Sequence, residues 1–179
     1  MVAHERSVTI DTMLDVRQLN PFEGERWRSI RLASLGDAPD AFSTTLAEAT
    51  AFPAGTWSRQ VLEFPTYVAS LDGVDVGVVR CAPDVERSDA AFLLSMWVTP
   101  EARGKGVGGA LIDAVVERAC ADGCCELMLD VADANDAAIA LYARKGFKAT
   151  GANSTLPVPR QDIYQHRRSL ALRSRNQNT

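Results

Sequence analysis

The stretch Val98-Thr99-Pro100-Glu101-Ala102-Arg103-Gly104-Lys105-Gly106-Val107-Gly108-Gly109 decides how the rest of the chain is read. It closes an apolar run, Ala91 to Val98, and opens an amphipathic one, Val107 to Cys120. A strand, a glycine-rich turn and a helix N-terminus are therefore predicted to meet here. Glycine has no Cβ, so its amide can approach a ligand closely and its backbone can take positive φ without strain. The first N–H groups of the helix lack internal partners, and the helix dipole adds partial positive charge beside them. Such a place suits an anion, above all a phosphate. Arg103 and Lys105 add two cations, and the main-chain amides from Gly104 to Gly109 are the principal donors expected.

Three phosphate-loop patterns compete. GxxxxGK[ST] is absent, because no Gly-Lys pair is followed by Ser or Thr. GxGxxG is present as Gly104, Gly106 and Gly109, with Asp130 further on. In the dinucleotide fold, however, those glycines directly follow the first strand, whereas Thr99 to Arg103 intervene here. The seventy residues after Gly109 are also too few for the rest of a doubly wound sheet. The third pattern, Arg-x-x-Gly-x-Gly, appears as Arg103, Gly106 and Gly108. It resembles the acetyl-CoA-binding motif of the GNAT superfamily of acyl-CoA N-acyltransferases. A second block, Asn135 to Phe147, is similar to that family's N-x-x-A-x-x-L-Y-x-x-x-G-F signature.

The resemblance covers about Val8 to Leu172. It implies an α/β (α+β) GNAT fold: a mixed, mostly antiparallel sheet of six to seven strands, splayed at the cofactor site and flanked by about four helices. One N-acetyltransferase domain is expected over residues 1–179, its core about 8–172 and a flexible tail 173–179. The cosubstrate implied is acetyl-CoA, with no metal. Its pantetheine arm would lie along Met96, Trp97 and Val98, and its pyrophosphate over Arg103, Gly104, Lys105, Gly106, Val107, Gly108 and Gly109. Asn135 would cap a helix and touch the cofactor. Tyr142 would touch it too, and act as general acid toward the leaving thiolate. A phenol (pKa ~10) is only about 1.5 units above a thiol, so the transfer is modestly uphill.

The general base is where the pattern departs. Many relatives carry a glutamate near the position that here is Ser95, which can hold a water but is no base at neutral pH. Asp130 could act through water; Glu48, Asp84, Glu86 and His166 are more remote options. The resemblance thus points to direct transfer in a ternary complex to a primary amine of a small molecule or peptide, with a homodimer admissible. An acyl-CoA-binding regulator with little turnover is the alternative that the missing glutamate raises. A nucleophilic cysteine is not expected, because Cys124 and Cys125 lie in a strand that reads as buried and have no nearby histidine.

Composition agrees with a globular domain: 179 residues, 46% hydrophobic and 23% charged. The net charge of −4 argues against a nucleic-acid partner and tilts slightly toward cationic amines as acceptors. No apolar run is long enough for a membrane span, and Met1 to Asp11 has no signal-peptide core, so a cytoplasmic location is expected. The four cysteines lack CxxC or histidine spacing and read as reduced thiols rather than a zinc site.

Along the chain, Val8 to Leu14 reads as an opening strand and Pro21 to Leu35 as a helix stopped by Gly36. Asp37 to Pro53 carries too many breakers for one continuous helix. Thr56 is the expected N-cap of a helix reaching Phe64. Asp72-Gly73 should join the strands Thr66 to Leu71 and Val74 to Cys81 in a hairpin. Ala90 to Val98 should be a strand buried on both faces. A helix should follow from Val107 to Asp122, then a strand from Cys124 to Val131 and a helix from Asn135 to Lys145. Phe147 to Thr155 and Gln161 to Leu170 complete the sheet.

Overall fold

The computed structural model describes residues 13–172. One seven-stranded sheet runs in the order β1-β2-β3-β4-β5-β7-β6. Its strands are β1 Leu14–Gln18, β2 Thr66–Leu71, β3 Val74–Pro83, β4 Ala90–Val98, β5 Glu126–Ala132, β6 Lys148–Thr155 and β7 Tyr164–Ala171. Every neighbouring pair is antiparallel except β4 and β5, which run parallel. Among the described residues five α-helices flank the sheet, one more than expected: α1 Gly24–Asp37, α2 Leu46–Thr50, α3 Thr56–Glu63, α4 Val107–Ala121 and α5 Asp136–Arg144. The extra one is α2, a single capped turn within the breaker-rich segment: the Thr45 hydroxyl accepts from Glu48 N–H, and the Glu48 carboxylate accepts from Thr45 N–H. Among the described residues no helix is long and apolar enough to cross a membrane.

The alternation of β3 sorts the core. Val79 and Cys81 face the layer of α4 and α5, where Leu111, Ile112, Val115 and Phe147 are buried. Val78 faces the opposite layer, packed with Trp27, Leu35, Trp57 and Trp97 against α1 and α3. The hairpin forms as expected, with positive φ at both Asp72 (49°) and Gly73 (82°), the geometry of a type I′ turn.

Several boundaries differ from the sequence reading. The opening strand lies at Leu14–Gln18; residues 8–12 of the expected one lie outside the described residues. Gly36 does not stop α1, which continues to Asp37 and ends because Pro39 disfavours helical backbone at Ala38 (φ −133°, ψ 65°). Gly55, left-handed at φ 82°, holds the N-cap position of α3, so Thr56 is its first helical residue. β5 begins at Glu126, because Cys124 N–H bonds back to Ala119 and Cys125 N–H to Asp89. Cys125 is accordingly exposed rather than buried. The C-terminal half of β4 is only half-buried on most residues, since it borders a cleft.

Helix α1 meets α3 through Gly24: a Cβ there would lie 2.4 Å from Ser58 Oγ and 2.7 Å from Ser58 N. Gly24→Ala must push the helices apart and should cost about 1–3 kcal/mol, read as a lower midpoint in urea unfolding.

Candidate active site

β4 and β5 pair only at Ala90–Phe92 with Glu126–Met128. Beyond that point they diverge, and the cause lies in β4. Val78 pairs with Trp97 but Arg80 with Leu94, so Ser95 and Met96 together oppose Val79. Ser95 takes φ 55°, and this β-bulge bends the strand away from its neighbour. The opening is a cleft of about 1290 Å³. Its walls include Ser95, Met96, Trp97 and Val98 of β4, Asp130 of β5, and Asn135 and Tyr142 at α5. Thr99 N–H bonds to Val76 O at 2.8 Å, so strand alternation turns the Val98 backbone away from β3 and into the gap. The Val98 carbonyl is taken by Arg103 Nε at 3.1 Å. Its N–H is the donor that remains for a ligand.

At the mouth of the same cleft α4 begins. Its N-cap is Gly106, left-handed at φ 83° with no side-chain cap, so the amides of Val107, Gly108 and Gly109 have no partner within the helix. Gly104 is also left-handed, at φ 76°. Gly104, Gly106, Gly108 and Gly109 all line the cleft. A Cβ on Gly108 would come within 2.9 Å of Leu141 Cδ2 and 3.3 Å of Met96 Cε, so only glycine leaves that surface open. This is a cradle for an anionic, extended ligand, and the residues fit a pyrophosphate. The two expected cations behave differently. Arg103 lines the cleft but is ion-paired with Asp37. Lys105 is exposed and lies outside the lining, and the Val107 side chain is buried in the core, leaving only its amide for a ligand.

Tyr142 is 6% exposed, meets Phe147 edge-on at 5.7 Å between ring centroids, and lines the cleft. Burial pushes its phenol well above the ordinary tyrosine value. The hydroxyl is thus firmly protonated at neutral pH, and giving up its proton is more uphill than the sequence alone indicated. Asn135 Oδ1 accepts from Ala138 N–H at 3.1 Å, the expected cap. Asp130 is held by Arg167 through two hydrogen bonds, at 3.0 and 2.9 Å, which compete with any water on its carboxylate. Glu48, Asp84, Glu86 and His166 lie outside the cleft lining. His166 instead bridges Asn153 and Asp133, each at 2.6 Å. No cysteine lines the cleft either, and burial pushes the Cys81 thiol up to about 12.

The arrangement of a splayed β4, a bare helix N-terminus and a buried tyrosine accompanies a match of residues 30–147 to the acetyltransferase (GNAT) family model. The chain belongs to the GNAT acetyltransferase family. It is 32% identical, over 132 residues, to the L-2,4-diaminobutyric acid acetyltransferase of Nocardia farcinica, covering 68% of this chain and 67% of that one. The GNAT-family acetyltransferase of Streptococcus pneumoniae has the same fold, with TM-score 0.74 at 21% identity over 90% of this chain and all (100%) of that one. An acetyltransferase of Salmonella typhimurium, solved with its cofactor acetyl-CoA, matches with TM-score 0.72 at 19% identity over 93% of this chain and 98% of that one. The protein is thus an acyltransferase of a family that uses acetyl-CoA.

Three cleft residues of this GNAT enzyme gave no signal in sequence. Asp37, brought to the cleft because α1 runs past Gly36, accepts from Trp97 Nε1 at 2.8 Å and pairs with Arg103, tying the helix end to β4 and to the turn before α4. Arg31 and Arg80 are buried, and desolvation lowers each guanidinium to about 10. Nothing in the sequence singles out either residue; the fold places both in one cleft.

A Cβ on Gly106 would touch nothing within 4 Å, so Gly106→Ala tests the left-handed turn alone. That conformation costs an L-residue about 1–2 kcal/mol. The acetyl-CoA KM should rise by about tenfold as the amides tilt out of place, while circular dichroism stays that of the parent.

Proposed function

We propose that this enzyme transfers the acetyl group of acetyl-CoA directly to a primary amine of a small molecule or peptide, within a ternary complex and with no acyl-enzyme. The diamino acid that names the Nocardia relative is one acceptor of this class. The observation that carries the reading is convergence: the uncapped start of α4 and the free edge of β4 open on one cleft that Tyr142 also lines. The absence of any cysteine among the lining residues argues for direct transfer.

Acetyl-CoA supplies an activated thioester. The chain's own groups divide the remaining work. Amides from Gly104 to Gly109 hold the diphosphate, Asn135 touches the cofactor, and the backbone of Met96 to Val98 takes up the amide-bearing arm as an added strand. The Val98 N–H donates to the acetyl oxygen as negative charge develops there, an interaction whose loss costs roughly 3–4 kcal/mol. As the amine nitrogen bonds to the acetyl carbon and the C–S bond breaks, Tyr142 Oη gives its proton to the sulfur. That transfer is uphill by about 2 kcal/mol before burial is counted.

Both carboxylates of the cleft, Asp37 and Asp130, are already bound to arginines. The amine therefore loses its proton to solvent, through water that Ser95 at the bulge can hold. A lysine-like amine is only about 0.04% neutral at pH 7, so activity must climb with pH until the amine titrates.

Tyr142→Phe should lower kcat by about tenfold or more with little change in the acetyl-CoA KM, measured by thiol release. The rising limb of kcat/KM against pH should move with the acceptor. Two amines whose pKa values differ by about two units should give profiles displaced by the same amount, because no enzyme carboxylate sets the limb. Tyr142, raised above its ordinary value, stays protonated across that range and adds no falling limb below about pH 10.

A further inference from the structure

Arg31 projects from α1 and Arg80 from β3, and both line the cleft although each is only 8% exposed. A guanidinium this deep is expensive to bury unless an anion faces it. Among the described residues neither is ion-paired. The charge that most affects Arg31 is that of Arg80, which repels it, and Arg80 feels Glu63 only through space. Arg80 donates from Nε to Thr66 Oγ1 at 3.2 Å and from Nη2 to the Gln60 carbonyl, both neutral acceptors. Among the described residues Arg31 Nη1 is buried and finds no hydrogen-bond partner. The aromatic rings explain part of this: Arg31 stacks 4.3 Å over Phe42, and Arg80 lies 5.1 Å over Trp27. Such contacts soften desolvation but supply neither a counter-charge nor an acceptor for Nη1.

The missing group is an anion, and its place is defined. Arg80 pairs across the sheet with Leu94, the residue before Ser95, where β4 bulges and the free edge begins. Arg80 therefore stands one strand behind the bulged part of β4 that lines the cleft, and Arg31 lies beside it over the same Trp27 ring, whereas the pyrophosphate cradle is at the start of α4. We infer that Arg31 and Arg80 bind a carboxylate carried by the acceptor itself, so that the substrates are amino acids or related amino-carboxylates rather than polyamines. The guanidinium fork suits a carboxylate bidentately. The rings of Trp27, Phe42 and Trp57 leave an apolar wall for the carbon skeleton between the carboxylate and the reacting amine. Global charge pointed the other way: the chain is acidic, but its cleft is not.

The inference deepens the acetyl-transfer reading, yet the carboxylate site can be read by binding alone. The full-length protein, saturated with coenzyme A so that its diphosphate site is filled, is titrated calorimetrically with matched pairs that differ only by a carboxylate. The pairs are 2,4-diaminobutyrate with 1,3-diaminopropane, lysine with cadaverine, and phenylalanine with phenethylamine. The acid should bind about thirtyfold or more tightly than its partner in the pair that fits best, the usual effect of charge-assisted hydrogen bonds. Arg31→Gln should reduce that preference to about threefold or less, and Arg31→Lys should keep more of it, with coenzyme A affinity unchanged in both. If Arg31→Gln does not fold, the wild-type pairs decide the matter. Equal binding of acid and amine, binding of no acid, or a preference that survives Arg31→Gln overturns the proposal. Tight acid binding with no thiol release when acetyl-CoA replaces coenzyme A would instead overturn the acetyl-transfer reading and leave the carboxylate site standing.

Discussion

A two-residue bulge, Ser95 and Met96 set against Val79, is the constraint on which the molecule's use depends. Without it β4 and β5 would pair along their length, as parallel strands do, and no cleft would exist. With it, pairing stops at Phe92 and Met128 and leaves main-chain donors facing an opening. Unsatisfied backbone in such a place must find water or a ligand. The protein has arranged for a ligand, because α4 starts beside the same opening with its own amides bare. In the proposed reading, one extended, amide-bearing diphosphate meets both shortages of hydrogen-bond partners.

The side chains around the opening are held in place rather than left free. Asp37 bridges Trp97 and Arg103, and Arg103 reaches back to the Val98 carbonyl, so the end of β4 is locked to the end of α1. On the far side, Arg160 of the β6–β7 connection donates to the carbonyls of Pro39 at 2.6 Å and Ser43 at 2.7 Å, pinning the segment that follows α1. The carboxylates are consumed by these ties and by Arg167, which leaves the cleft with positive charge in excess. That balance is the one on which the proposed acceptor carboxylate rests, and it makes an internal base scarce; both features follow from the same pairing pattern.

Much of this was legible in the chain because its signals are local. Asp72-Gly73 marks a type I′ turn, Asn135 a cap, and the glycines at 123 and 146 the helix ends, so β2, β3, β4, α4 and α5 fall close to where the residues put them. The glycine cradle reads directly, since Gly104 and Gly106 need the left-handed backbone that they adopt. What was hidden depends on distant partners. Gly36 looks like a helix stop, but Pro39 decides where α1 ends, and so delivers Asp37 to the cleft. The bulge has no sequence mark beyond one serine in an apolar run. Arg31 and Arg80 belong to elements that only the folded sheet brings together, and nothing around either residue announces burial without a counter-ion.

In the proposed reading the β4 edge and the α4 start grip coenzyme A together. Amide hydrogen exchange, followed residue by residue with and without acetyl-CoA, tests it most directly. Slowed exchange at Val98 and across Gly104 to Gly109, in the same titration and with the same affinity, is the result predicted. Unchanged exchange at those amides, with protection appearing on another face of the sheet, would contradict it.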